Sequence, residues 1–96
     1  MFSPKKFKGK KACVLGMGKS GISCARLLKR QGFDVLISES GVMPVPTGLE
    51  GIETETGGHT ESVFKCDFAV KSPGISPRHP VLAKLKKLKK PVFSEL

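Results

Sequence analysis

Residues 11–32 read KACVLGMGKSGISCARLLKRQG, and their hydrophobic period changes once along the way. Lys11 to Leu15 is a short, mostly apolar run of the kind shown by a strand buried on both faces, and it stops at Gly16. Between Lys19 and Gln31 the apolar residues Ile22, Ala25 and Leu28, flanked by Cys24 and Leu27, recur at helical spacing. Lys29 and Arg30 complement the dipole of the last turn, and Gly32 supplies the stop. Between strand and helix lies Gly16-Met17-Gly18-Lys19-Ser20-Gly21, a G-x-G-x-x-G in the strand-to-helix context that gives the pattern physical content. Gly16 permits a tight turn, Gly18 lets backbone approach a ligand, and Gly21 lets helix close on strand. The N–H groups of Gly18, Lys19 and Ser20 are then expected to face an anion at the positive end of the helix, and a diphosphate fits that description. Lys19 either adds charge beside it or is simply solvated.

Outward from this unit, Val35, Leu36 and Ile37 form a second strand, cut off by Glu39-Ser40-Gly41 and a Pro/Gly-rich loop from Val42 to Gly51. Ile52 to Thr56 reads as a weaker third strand. After the Gly57-Gly58-His59 break, Thr60 is placed to cap a short helix over Glu61 to Lys65. Phe68, Ala69 and Val70 make a fourth strand ending at Ser72-Pro73-Gly74. Pro80 suits a first helical position, with Val81, Leu82, Leu85 and Leu88 on one face, and Pro91 closes that helix before a last strand at Val92-Phe93. Strands alternating with crossover segments cannot pair as hairpins, so the expected class is α/β: a Rossmann-like open parallel sheet of about five strands with helices on both faces, with residues 1–96 forming one domain. Such sheets bind ligands at the carboxyl ends of the strands, where the strand order reverses.

The composition of 96 residues, 39% hydrophobic and 26% charged, excludes a disordered or collagen-like chain and allows one modest core. Seventeen Lys+Arg against eight Asp+Glu give a net charge of +9, which favours anionic partners without choosing among phosphates, nucleic acid and acidic lipid. Ten of the basic residues fall in two runs, Lys5 to Lys11 and Lys84 to Lys90, so the excess is local. In the second run the leucines share one helical face. It is read as a solvated outer face rather than a nucleic-acid stripe, because Tyr and Trp are absent. Cys13, Cys24 and Cys66 are odd in number with no C-x-x-C spacing, so they are expected to be reduced thiols of a cytoplasmic protein. The apolar run behind the basic N-terminus is too short for a signal peptide or a membrane span. His59 and His79 lack a second ligand at metal spacing, so loop or capping roles are expected and no metal site is. A monomer is expected.

Glu39, about 20 residues beyond the glycines, stands where dinucleotide-binding folds place an acid on a ribose, or it caps an ordinary turn. Ser72-Pro73-Gly74 is expected across the crevice from the first loop, with Pro73 stiffening the turn and Gly74 offering an unobstructed N–H. Gly18-Lys19-Ser20 is not the end of a Walker A loop, since Cys13 stands where that loop needs glycine. No Ser/His/Asp order, carboxylate pair or HExxH string supports catalysis within these residues. Two rival readings are a nicotinamide-dinucleotide (NAD) redox or sensor module and a basic nucleic-acid-binding domain.

The segments GKKACVLGMGKSGISCARLLKRQG, GIETETGGH, FAVKSPGISPRHPVL and PVFSEL together resemble the N-terminal domain of the MurD ligase family, from Phe7 to Leu96. The KSPGI-x-x-x-HP segment is more specific than the glycine loop. The resemblance implies an enzyme that is an ATP-dependent amide-forming ligase of peptidoglycan precursor synthesis, adding D-glutamate to UDP-N-acetylmuramoyl-L-alanine. It implies that this domain binds the UDP-linked substrate, that the diphosphate meets the loop of Gly16, Gly18, Lys19, Ser20 and Gly21 and the loop of Ser72, Pro73 and Gly74, and that Glu39 and Ser40 match positions recognising uracil. An aspartate is common where Glu39 stands. ATP and Mg2+ are implied for the full-length ligase, with their residues beyond Leu96, so the 96-residue chain is expected to bind substrate weakly and to be inactive alone.

Overall fold

The computed structural model describes residues 10–76 and 78–94. Lys5, Lys6 and Lys8 of the first basic run, and Pro77, Glu95 and Leu96 of the family-like segments, lie outside the described residues. Five strands, β1 (Lys11–Leu15), β2 (Asp34–Ser38), β3 (Glu53–Glu55), β4 (Phe68–Lys71) and β5 (Val92–Phe93), form one sheet in the order β3-β2-β1-β4-β5. Every pairing is parallel, with Leu15 opposite Ser38 on one side and Lys71 on the other. The helices are α1 (Lys19–Arg30), α2 (Glu61–Phe64) and α3 (Pro80–Lys87). Element order and fold class agree with the sequence expectation, with ends moved by one or two residues.

Alternation along the central strands sorts the core onto two faces. Ala12, Val14, Val35, Ile37, Phe68 and Val70 point toward α1, where they meet Ala25 and Leu28. Cys13, Leu15, Leu36 and Ala69 point the other way, against Val63 of α2 and Val81 and Leu85 of α3. Helices thus cover both faces, and β1 is buried from Ala12 onward as its apolar run required. The Pro/Gly-rich connection from β2 to β3 supplies Leu49, 7% exposed, to the α1 face, and Arg26 Nε of α1 donates to Gly48 O at 3.1 Å. That loop occupies the place a crossover helix would take.

Thr60 accepts from Ser62 N at the start of α2, and His79 Nδ1 accepts from Val81 N at the start of α3, so both expected caps form. At its end α3 closes with Lys89 N donating to Lys86 O and Lys90 N to Leu85 O, the paired bonds of a Schellman turn. Lys89 takes the left-handed position at φ 60, where glycine is usual. Because the helix ends at Lys87, Leu88 falls past the packed surface and is 45% exposed, unlike its expected place on the apolar face. All three cysteines are free thiols, Cys13 and Cys66 buried and Cys24 partly so. Among the described residues no helix is long and apolar enough to cross a membrane.

Candidate functional site

The strand order reverses between β1 and β4: α1 leaves the end of β1 on one face, and the chain from β4 enters α3 on the other. The two turns expected to face each other start from this boundary. Gly16 N donates to Ser38 O at 2.8 Å, and Ser72 N donates to Leu15 O at 2.9 Å, so each turn opens with its first amide tied to a neighbouring strand. Gly16 adopts φ 110, and a Cβ there would lie 2.7 Å from Ser72 Cβ. Only glycine lets the turns come this close. Gly21 is constrained differently: a Cβ on it would meet Gly16 O at 2.1 Å, so its bare backbone seats α1 on the loop.

The first α-helical bond is Ile22 N to Gly18 O, which leaves the amides of Gly18, Lys19 and Ser20 without an acceptor among the described residues. Gly74 N likewise has no acceptor among the described residues, and the turn after β4 closes with Ile75 N on Ser72 O. Nothing lies within 4 Å of where a Cβ on Gly18 or Gly74 would be. Free donors from both turns therefore stand at one rim, at the positive end of α1, the arrangement that suits a phosphate or diphosphate. Beneath them a cavity of about 310 Å³ is lined by Ser20, Gly21, Ser72 and Pro73 above Val14 and Cys24. Burial pushes the Cys24 thiol up to about 11, so it is neutral there.

Glu39 is the hinge between this rim and the end of β2. Its Oε1 accepts from Met17 N at 2.9 Å and its Oε2 from Gly41 N at 2.8 Å, so the carboxylate fastens the glycine loop to its own turn. The Gly41 and Met17 amides hold its carboxyl below the ordinary glutamate range. Of the ten sequence-predicted residues, Ser20, Gly21, Ser72 and Pro73 line the cavity, whereas Gly18, Lys19 and Gly74 belong to the same two turns but do not line it. Gly16 acts by shape, its N–H being spent on Ser38. Ser40 lines a separate hollow of about 360 Å³ with Gly58, His59 and His79.

Sequence reasoning missed what lies beneath that hollow. Ser38, fully buried, bonds both Glu55 Oε2 and His59 Nδ1, the latter at 2.6 Å, while Thr60 N and Oγ1 donate to Glu55. The Ser38↔Glu55 register of the parallel β2–β3 pair makes these neighbours, and no local motif announces it. Burial first, and the adjacent His79 second, pull His59 below the ordinary histidine range, against the opposing pull of Glu55 and Glu39. A folded-state value below the unfolded value of about 6.5 means that protonation favours unfolding. The His59 contribution is whole above that value and is lost as pH falls through the folded value. The urea midpoint is therefore expected to drop between about pH 7.5 and about pH 5.5, and the drop is expected to shrink in His59→Asn. Glu39 and Glu55, both held below the ordinary range, act only at lower pH. Among the described residues no cluster of three or more His, Cys, Asp or Glu could hold a metal ion.

With this geometry in hand, comparison with known proteins gives a consistent answer. Residues 10–94 match the family of Mur ligase MurD-like N-terminal domains. The UDP-N-acetylmuramoylalanine–D-glutamate ligase of Elusimicrobium minutum is 60% identical over 97 residues, covering 100% of this chain and 22% of the relative. The ligase of the same name from Chloroherpeton thalassium is 42% identical over 95 residues, covering 93% of this chain and 20% of the relative. The chain thus spans about a fifth of the length of the curated relatives it matches. With an all-parallel sheet, a glycine turn at its reversal point and a family match over nearly all its residues, the chain belongs to the MurD-like N-terminal domain family of the Mur ligases.

Proposed function

We propose that this domain holds UDP-N-acetylmuramoyl-L-alanine for an ATP-dependent ligase that adds D-glutamate to it in peptidoglycan precursor synthesis, in the cytoplasm. The observation that carries the reading is the convergence of unengaged amides from Gly18, Lys19, Ser20 and Gly74 on one rim of the fold. In this reading the diphosphate sits across those donors and the uracil extends toward the exposed Ser40, with Glu39 keeping the glycine loop in place. The relatives' names support the substrate class, and the free thiols fit a reducing compartment.

The described residues do not fit ATP and Mg2+. Cys13 is buried inside β1 where a Walker A loop would need glycine, and no carboxylate cluster stands near the rim. Within these residues the domain's part is to bind and orient. The NAD reading is disfavoured by Glu39, whose two oxygens already accept main-chain N–H groups instead of standing open to ribose hydroxyls.

A thermal-shift comparison tests this. At ligand concentrations about ten times Kd, UDP and the UDP-muramoyl substrate are expected to stabilise the fold by about 1.4 kcal/mol, a rise in Tm of roughly 5–11 °C for a domain of this size. NAD is expected to give no rise. A rise with NAD and none with UDP at millimolar concentration would sink the proposal.

A further inference from the structure

A further hollow, larger than the one at the glycine rim, lies elsewhere in the fold. It runs between α3 and β5 at the edge of the sheet, with a volume of about 660 Å³, and carries five cations: Lys71, Arg78, Lys86, Lys89 and Lys90. Among the described residues no carboxylate lines it and none of the five forms an ion pair, the two salt bridges using Lys11 and Lys84 instead. Mutual repulsion makes such a cluster costly in the absence of a counter-charge. Its floor is apolar, with Leu82, Pro91 and Val92, and contains no aromatic ring. A nucleic-acid strand would find nothing to stack on.

The floor also offers a hydrogen-bonding edge. Among the described residues β5 is the last strand of the sheet, and Ala69 N donates to Pro91 O. In a parallel ladder that register directs Val92 N–H and C=O away from β4, and Val92 itself lines the groove. One of the cations, Lys89, occupies a left-handed position that costs a non-glycine residue roughly 1 kcal/mol. Its charge is placed beside the groove in spite of that cost.

We propose that this groove is a docking site for an extended acidic peptide segment, which adds to the free edge of β5 and pairs alternate carboxylates with the five cations. Strand addition supplies main-chain bonds through Val92, the apolar floor takes the inward side chains, and the outward acids meet the lysines. Its only overlap with the proposed nucleotide cavity is Lys71 and Ser94, which line both hollows.

The test uses the 96-residue chain, 15N-labelled, titrated with an acetylated octapeptide of Glu-Val repeats, its Gln-Val analogue, inorganic tripolyphosphate and a short DNA duplex. The acidic peptide is expected to bind with Kd below about 1 mM at low salt, weakening at least ~10-fold at about 0.3 M salt as the Debye length shrinks. It is expected to shift the Val92 amide and slow its hydrogen exchange. Lys86→Glu with Lys90→Glu should weaken binding at least ~10-fold. Val92→Pro, which removes the outward N–H together with the valine side chain, should weaken it ~5-fold with all five charges present. Should that variant not fold, the Val92 exchange in the unsubstituted chain decides in its place. Equal binding of the Gln-Val peptide, an unmoved Val92 amide, or tighter binding of tripolyphosphate or duplex would overturn the proposal. So would a charge-reversed variant that aggregates yet binds the peptide unchanged, since the lysines would then merely guard an open edge.

Discussion

Gly21→Ala is expected to destabilise the domain by about 2–3 kcal/mol, lowering Tm by roughly 8–24 °C. Helix propensity alone gives the opposite sign, because replacing an interior glycine by alanine gains roughly 1 kcal/mol. Geometry decides which effect wins. The new methyl would lie 2.1 Å from Gly16 O and 3.0 Å from Gly16 C, backbone atoms that no rotamer change can move aside. Relief requires α1 to lift from the loop, and that strains the burial of Ala25 and Leu28 against the sheet. Gly18→Ala is the matched control. Gly18 has φ −80, an ordinary value for any residue, and its methyl would meet nothing within 4 Å, so stability is expected to change by less than about 1 kcal/mol. That methyl would enter open space, which in the proposed reading the diphosphate approaches, and UDP affinity is expected to fall at least ~10-fold, about 1.4 kcal/mol. Urea denaturation and calorimetry on the two variants separate the effects. Unchanged UDP affinity in Gly18→Ala would remove the ligand from this rim, and an unchanged urea midpoint in Gly21→Ala would refute the packing argument.

The contrast between these glycines shows where sequence was informative. The β1–turn–α1 unit is contiguous, so its period change, its glycines and its basic last turn all lie within one window, and the structure follows that window closely. The same holds for the caps at Thr60 and His79, whose acceptors bond amides two residues away. Features created by pairing were less legible or not legible at all. The strand read weakly over Ile52 to Thr56 is Glu53-Thr54-Glu55, with no apolar run of its own, and it is held by the edge that β2 presents. Leu49 reads as loop among glycines and prolines, yet it completes the core beside α1. Ser38 lies 17 residues from Glu55 and 21 from His59, and it meets them only through the β2–β3 register. The groove beside β5 likewise needs the strand order, which places an unpaired edge next to the lysine-rich face of α3. In the sequence those lysines looked like a solvated face.

Glu39 is where the family resemblance and the geometry weigh differently, and its substitution gives the second large effect. Glu39→Ala leaves the amide of Met17, a residue 1% exposed, without an acceptor, and it frees the Gly41 turn. An unsatisfied buried donor costs about 1–3 kcal/mol, so Tm is expected to fall by roughly 4–24 °C. Glu39→Gln should lie between, since the amide oxygen can keep one of the two bonds while the NH2 group cannot accept the other. Glu39→Asp should resemble Gln, because a side chain one methylene shorter does not span from Gly41 to Met17. Binding then distinguishes a positioning role from contact with the base. If the carboxylate works by holding the glycine loop, Glu39→Gln weakens UDP and inorganic pyrophosphate by the same factor and leaves discrimination between UDP and ADP untouched. If it reads the uracil, UDP alone weakens and that discrimination collapses. Both oxygens already accept short main-chain bonds, and a third partner would compete with the amides that depress the carboxyl's pKa. The equal-factor result is the one expected. It would assign base selection to Ser40 and the hollow it shares with Gly58, His59 and His79.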